Sequence, residues 1–591
     1  MRNKTITSIM FTLLLISMLT LIFHIKTASS AVGTIYIKLD GSIDPPTAPI
    51  TRAGNVYTFT ANIYNYSIII QKNSITIDGN NYNLQADGTS IGFNLSSITG
   101  VTIKNLKIKG FAYGIYLFDS TTNTITQNTI TNNTIGGIAL YYSPSNTISS
   151  NTIRYNREGI YLHESPSCTI QSNTITNNDN GLMLIQSGSC TLTQNNLTTN
   201  IYNFGVDGLS LSDFIQNMDT SNLAEGKIIR YLINKTSITI DPSTYPNTGY
   251  LAIINSTSIT IRDFEITKNR QGLLLASITN SNVTSLKVSN NYAGIYLWNS
   301  NTTTLKANII IYNYDGITMQ YSNNNAISNN TITNNKDGIS PYNSNNNAIY
   351  HNNFIDNDNN VYTQYSTNTW DNGYLSGGNY WSDYNGTDLK KGPNQDQPGS
   401  DGIGDTPYII DDNNRDRYPL MNPIEVRDIA ITDIIPSKTV IGQGYSASIE
   451  VFIKNQGSFT ETFNVSTYAN TSLIQTKTAT LPSLGSTNVT INWTTSGWNK
   501  GIYTLSAYVA PLPGEVDTGD NSLTYGMVKV TVPGDVDGDR DIDIYDIVRI
   551  TSIYGTKKGE PRYIPNVDID GNGEINIYDV VIATSRYGYK E

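Results

Sequence analysis

Between about residues 100 and 360 the apolar positions fall into short alternating runs, and the runs themselves recur. Segments such as GIYL, NTIT and NTIS set isoleucine or leucine among asparagines and threonines. That is the period of strands half buried on one face, and it leaves no room for helices of ten residues. Glycines followed by an apolar residue mark the recurrence: Gly114, Gly137, Gly159 and Gly181, spaced 23, 22 and 22, then Gly272, Gly294, Gly316 and Gly338, spaced 22 throughout. Fourteen residues further on stand Asn128, Asn151, Asn173 and Asn195, and later Asn308, Asn330 and Asn352. Nineteen further on stand Asn133, Asn156, Asn178, Asn200, Asn291, Asn313, Asn335 and Asn357. One residue type at one phase suits stacked coils, because each Asn can bond its counterparts about 4.8 Å above and below. The pattern predicts a parallel β-helix; the fixed Leu spacing and helical half of a leucine-rich repeat are missing.

Two segments past the last repeat, GGNYWSDYNGTD (377–388) and DGIGDTPYIIDDNNRDRYPLMNP (401–423), resemble the close of NosD-family helices. Residues 33–423 as a whole are similar to the right-handed parallel β-helix group that includes pectate-lyase-like enzymes. The resemblance implies a fold more than a chemistry. The break in the period at about 206–262 is expected to hold variant rungs and an extruded loop, where binding surfaces tend to sit.

From about Glu425 the Asn ladder gives way to longer alternating runs, SASIEVFIKNQG, FNVSTYAN, NVTINWTT and GIYTLSAYV. Short strands at turn-punctuated intervals predict a β-sandwich over 425–532. This stretch is similar to the CARDB cell-adhesion-related domain, which implies an immunoglobulin-like fold.

The chain closes on DVDGDRDIDIYDI (535–547) and then DIDGNGEINIYDV (568–580). Against a 12-residue calcium loop the first supplies Asp535, Asp537, Asp539, Asp541, Asp543 and Asp546 at positions 1, 3, 5, 7, 9 and 12, and the second Asp568, Asp570, Asn572, Glu574, Asn576 and Asp579. Position 7 normally gives its backbone carbonyl, and position 9 often acts through water. Each loop runs into an apolar helix-like stretch ending at Gly555 or Gly588, and no helix pattern precedes either loop. Residues 533–591 therefore resemble a type I dockerin, a small α module, which implies Ca2+ as cofactor and a cohesin-type domain as partner. Two departures stand out. Arg540 holds position 6, where a positive φ favours glycine. The family's partner-reading pair at positions 10 and 11 is here Ile544 and Tyr545, repeated as Ile577 and Tyr578.

The N-terminus, with Arg2 and Lys4, an apolar run to about Phe23 and small residues to Ala31, predicts a secretory signal peptide over 1–31 and no membrane span in the mature chain. A net charge of −11 argues against nucleic acid as a partner. The expectation is a secreted protein held at a prokaryotic cell surface, its β-helix binding or degrading polysaccharide; a non-enzymatic adhesin or scaffold is the alternative.

Cys168 and Cys190 each lie nine residues after a rung glycine and are expected to stack. Adjacent rungs fall inside the Cα separation of roughly 4.4–6.8 Å that a disulfide tolerates, so they form either a disulfide or two buried thiols in place of a ladder pair. No catalytic signature is legible, and the catalytic residues stay unassigned. The best acid–base candidates are Arg157, Glu158, His163, Glu164 and Asp179, and the pair Asp315 and Asp337; the bland reading is a solvated solenoid edge. Tyr116, Tyr161, Tyr296 and Trp298 are candidates for stacking on sugars, and Asp401 and Asp405 for either a cation or a turn. With 3 His, 2 Cys and 8 Met, no soft-ligand cluster for copper can be assembled from neighbours in sequence.

Overall fold

The computed structural model describes residues 33–590 apart from 426, 458, 484, 514, 516 and 517; the signal-peptide expectation lies outside the described residues. The repeats form a parallel β-solenoid, with neighbouring strands in register at one-rung offsets, such as Ile138 on Ile160 and Ile160 on Leu182. The glycines start the strands of one face, as in Glu158–His163 and Asp315–Gln320. A Cβ added at Gly159 would stand 2.4 Å from the Gly181 carbonyl oxygen, so close stacking of rungs excludes any larger residue there.

The asparagine columns are the predicted ladders. Asn128 donates from its backbone N–H (3.0 Å) and its Nδ2 (3.1 Å) to Asn151 Oδ1. Its Nδ2 also reaches the carbonyls of Ile103 and Thr126. Asn151 repeats the arrangement on Asn173, and Asn308 on Asn330. The residue before each ladder Asn takes the left-handed conformation, φ 58° at Gln127 and 55° at Ser150. Such a turn costs a non-Gly residue about 1 kcal/mol, and the buried amide network offsets it. A serine column, Ser120, Ser143, Ser165 and Ser187, caps rungs in the same manner: Ser120 Oγ accepts from the Ile98 N–H, and the other three hydroxyls from the preceding serine's N–H, at about 3.0 Å.

The solenoid is two coils, not one interrupted helix. After Leu223–Ala224 the chain reverses and pairs antiparallel with Lys227–Ile233, and the glycine-led strands of the second coil then extend a sheet that in the first coil held a different face. Each coil encloses a hydrophobic core, and outward residues of the second coil, among them Tyr250, Leu274, Tyr296 and Trp298, pack into the first coil's. The connection ahead of the reversal carries a short helix, α1 (Leu211–Phe214), whose Phe214 packs 4.7 Å from Trp298 of the second coil. The second coil is closed by the segment that resembles NosD: Trp381 stacks between Phe354 and Tyr408, and its indole N–H donates to Asp416.

Residues 429–531 form two packed sheets, one of three antiparallel strands and one of five. Ile449, Val451, Val465, Ile491, Trp493 and Val528 fill the space between them. The chain ends in two helices, α2 (Ile544–Ser552) and α3 (Ile577–Thr584), each entered from an acidic loop. Among the described residues no helix is long and apolar enough to cross a membrane.

Candidate functional site

Outward positions of the first coil's glycine-led face carry a run of tyrosines. Ring centroids step from Tyr113 to Tyr116 (5.3 Å), Tyr141 (5.6 Å) and Tyr161 (5.7 Å), and Tyr161 stacks nearly parallel to His163. Strand alternation explains the run, since Ile160 and Leu162 between them point into the core. Where the coils meet, Arg270 lies over Gly205, where a Cβ would approach its side chain to 2.3 Å. The Arg270 guanidinium stands 3.4 Å above the Tyr292 ring; Tyr292 stacks on Tyr314 at 4.7 Å, and the Lys336 ammonium lies 4.1 Å from the Tyr314 ring. The Tyr292 and Tyr314 rings thus pack against Arg270, Lys336 and each other, a cation–aromatic row along the edge of this face.

Carboxyl groups flank this surface. Glu158 Oε1 accepts from Asn180 Nδ2 at 2.9 Å, while Glu158 Oε2 and Asn180 Oδ1 are buried without a partner. Burial pushes the Glu158 carboxyl up to about 7, against the pull of the Asn180 hydrogen bond and of Arg157 and Arg270. Asp315 and Asp337 pair in register on adjacent rungs, and burial with that neighbouring carboxylate raises Asp315 to about 6. Asp207, which accepts from Tyr296 Oη at 3.1 Å, is also raised by burial.

The sequence-derived candidates divide accordingly. Glu158, His163, Tyr116 and Tyr161 share the tyrosine face; Arg157 and Asp179 are solvated, and Glu164 makes only a 3.9 Å approach to His163. Tyr296 and Trp298 are not exposed platforms: they are 3% and 5% exposed, packed against the first coil, where Phe214 meets Trp298. Asp401 and Asp405 serve as turn braces, Asp405 accepting from Thr387 Oγ1 and the Lys390 N–H, and Asp401 from Gln395 Nε2. Arg270, Asp207, Tyr292, Tyr314 and Lys336 were not found from sequence. Tyr292, Tyr314 and Lys336, each two residues before a rung glycine, formed a column that would have signalled part of the group.

Cys168 and Cys190 stack as buried free thiols. They stand at ladder positions: Cys190 Sγ points at the carbonyls of Ser187 and Ser165 as Asn146 Nδ2 does at those of Ser143 and Ser120.

At the C-terminus the two loops repeat one hydrogen-bond pattern. Asp535 accepts from the N–H groups of Gly538 and Arg540, and Asp568 from those of Gly571 and Gly573. Asp546 and Asp579 brace their own loops, accepting from Val536 and Asp543, and from Ile569 and Asn576. Asp543 and Asn576 cap α2 and α3 by accepting from Tyr545 and Tyr578. Arg540 takes φ 82°, beside 89° for Gly573 at the same loop position. Carboxylate oxygens of Asp535, Asp537 and Asp539 lie within 4.8 Å of one another, as do those of Asp541, Asp543 and Asp546, and those of Asp568, Asp570 and Asp579. Burial and the neighbouring carboxylates push Asp546 up to about 6. An all-oxygen donor set of this density suits a hard divalent cation. At position 7 Asp541 Oδ2 lies 3.9 Å from Lys590 while its Oδ1 is buried, Glu574 lies 3.7 Å from Lys557, and Asn572 bonds Asp570. Ile544, Tyr545, Ile577 and Tyr578 are 52%, 72%, 52% and 66% exposed.

Residues 212–386 match the family model described as periplasmic copper-binding protein (NosD), and residues 55–197 match the right-handed β-helix region. The solenoid is a right-handed β-helix. No curated protein matches the chain in sequence. Among solved structures, the CARDB domain of a Pyrococcus furiosus protein, crystallised with di-metal ions, is 26% identical, over 19% of this chain and 99% of that one, with a TM-score of 0.17. The same domain in solution gives 27%, 18%, 97% and 0.16. A Listeria innocua β-glucosidase with isofagomine is 14% identical over 21% of this chain and 19% of its own, with a TM-score of 0.14. Copper does not fit the β-helix described here: among the described residues its histidines lie apart, His351 bonding the Ser376 carbonyl, and both cysteines are enclosed in the ladder.

Proposed function

We propose that the chain is an exported modular surface protein whose C-terminal module binds Ca2+ in two loops and so presents two Ile-Tyr pairs to a cohesin-type domain, in the manner of a type I dockerin. The observation that carries this reading is the repetition of the whole loop arrangement, from first-position carboxylate to helix cap, with the same exposed pair at the start of each helix. Calorimetric titration of the chelator-treated full chain should register two Ca2+ ions, and capture by a panel of cohesin domains should disappear when EGTA is added. Absence of calcium heat, with helix content unchanged by EGTA, refutes it.

The β-helix is the module's cargo, and its tyrosine face supports polysaccharide binding. Tyr113 and Tyr116 on one rung and Tyr141 and Tyr161 on the next two form a row of tilted rings, and a CARDB-like sandwich spaces it from the attachment point. Incubation with acidic and neutral polysaccharides, scored for retention and for new reducing or unsaturated ends, separates the alternatives. Retention alone means binding, products mean degradation, and neither result favours the adhesin or scaffold.

A further inference from the structure

The two acidic loops do not hang free of the sandwich. Lys529 Nζ donates to the Gly538 carbonyl at 2.8 Å, and Lys438 Nζ to the carbonyls of Asp568 and Ile569. Gly538 and Gly571 occupy loop position 4 in the two copies, at φ 79° and 76°. A Cβ on Gly538 would stand 2.9 Å from Lys529 Cδ, and one on Gly571 would face Lys438 Nζ at 3.8 Å. Each loop thus has one sandwich lysine against the same turn. Thr531 Oγ1, at the end of the sandwich's last strand, donates to Asp535 Oδ2 at 2.5 Å. Asn566 Oδ1 accepts from the N–H groups of Thr439 (2.9 Å) and Val440 (3.3 Å). Tyr445 packs against both hydrophobic cores. The Ile-Tyr pairs stay exposed outside this contact.

These bonds reach backbone carbonyls and a first-position carboxylate, which hold their places only while the loops keep this shape. Cation loading is what orders such loops. Charge opposes this ordering effect only in part, since a bound divalent ion weakens the pull of the loop on its lysine without abolishing it. The second loop carries four carboxylates, Asp568, Asp570, Glu574 and Asp579, so a bound divalent ion leaves it anionic, and the ammonium of Lys438, which is only 7% exposed, stays attracted.

We propose that the sandwich is the built-in docking partner of the two-loop module, Lys529 holding the position-4 carbonyl of the first loop and Lys438 the position-1 and position-2 carbonyls of the second, so that divalent-cation loading and domain docking are one coupled event. The coupling rests on the calcium reading above. It makes residues 429–590 one rigid unit that aims the Ile-Tyr surface, instead of a module on a flexible tether.

Amide hydrogen exchange on the full chain, resolved to single residues, tests it with Ca2+ and with EGTA. Thr439 and Val440 belong to the sandwich and are no candidate ligands, yet chelation should speed their exchange at least ~10-fold. With Ca2+ present, the Lys438→Met/Lys529→Met variant should show the same acceleration while the amides of strand Ser446–Asn455 stay protected, which establishes that the sandwich is folded. Thr531→Val should act in the same direction. Unchanged Thr439 and Val440 exchange while residues 533–590 open on chelation would overturn the coupling. If calcium alters nothing in 533–590, the calcium reading and with it the coupling fail; the double variant then decides docking alone, which unchanged exchange at Thr439 and Val440 overturns.

Discussion

Glu158→Gln tests the electrostatics of the tyrosine face. In the folded chain the Glu158 carboxyl titrates at about 7, raised from its ordinary 4.5 chiefly by burial, whereas in the unfolded chain it ionises near the ordinary value. Between those values the unfolded chain binds fewer protons than the folded one, so stability falls as pH rises through this window. The contribution is favourable at pH 4 and is lost by about pH 8. The separation corresponds to ~3 kcal/mol at 1.36 kcal/mol per pH unit. A glutamine does not titrate, and its Nε2 supplies a donor for Asn180 Oδ1, which is buried without one, while Oε1 keeps the bond from Asn180 Nδ2. Scanning calorimetry of the β-helix transition at pH 4 and pH 8 is the assay. The variant should match the native chain at pH 4 and melt a few degrees higher at pH 8, given the shallow dependence of Tm on free energy in a long domain. A difference between the two proteins that is the same at both pH values would refute the reasoning, because a packing effect does not titrate.

Asn151→Ala removes two donated and two accepted side-chain bonds in a buried column, leaving the Asn128 N–H without its partner, and should cost ~4 kcal/mol in denaturant unfolding of the β-helix. Thiol titration without reductant should find no reactive cysteine in the native chain and two in denaturant; none in denaturant would mean a disulfide between Cys168 and Cys190. Tyr545→Ala or Tyr578→Ala alone should leave cohesin capture intact through the other copy, and the double variant should abolish it in a pull-down. Arg270→Ala removes the guanidinium from the Tyr292 ring and should lower the stability of the β-helix by about 1 kcal/mol in denaturant unfolding.

Much of this molecule was written in its periods. The 22-residue spacing, the asparagine columns at Asn128 and Asn133, and the doubled loops at Asp535 and Asp568 each record a contact made with the neighbouring copy of the same unit. A partner one repeat away leaves a pattern in sequence, and the residue types at that phase name the interaction. Even the left-handed turn at Arg540 followed from its place in the loop.

What the repeat could not encode is contact between different units. The reversal at Leu223–Ala224 split the solenoid into two coils and buried Tyr296 and Trp298, which the strand period alone left outward. Arg270 meets Phe204 and Gly205 across a break in the repeat, and Lys438 meets Asp568 at a separation of 130 residues. Neither pairing has a second copy to betray it. Local periodicity therefore determined the rungs, the ladders and the loops, while the tertiary structure alone decided which face became a continuous surface and which domain the acidic loops rest on.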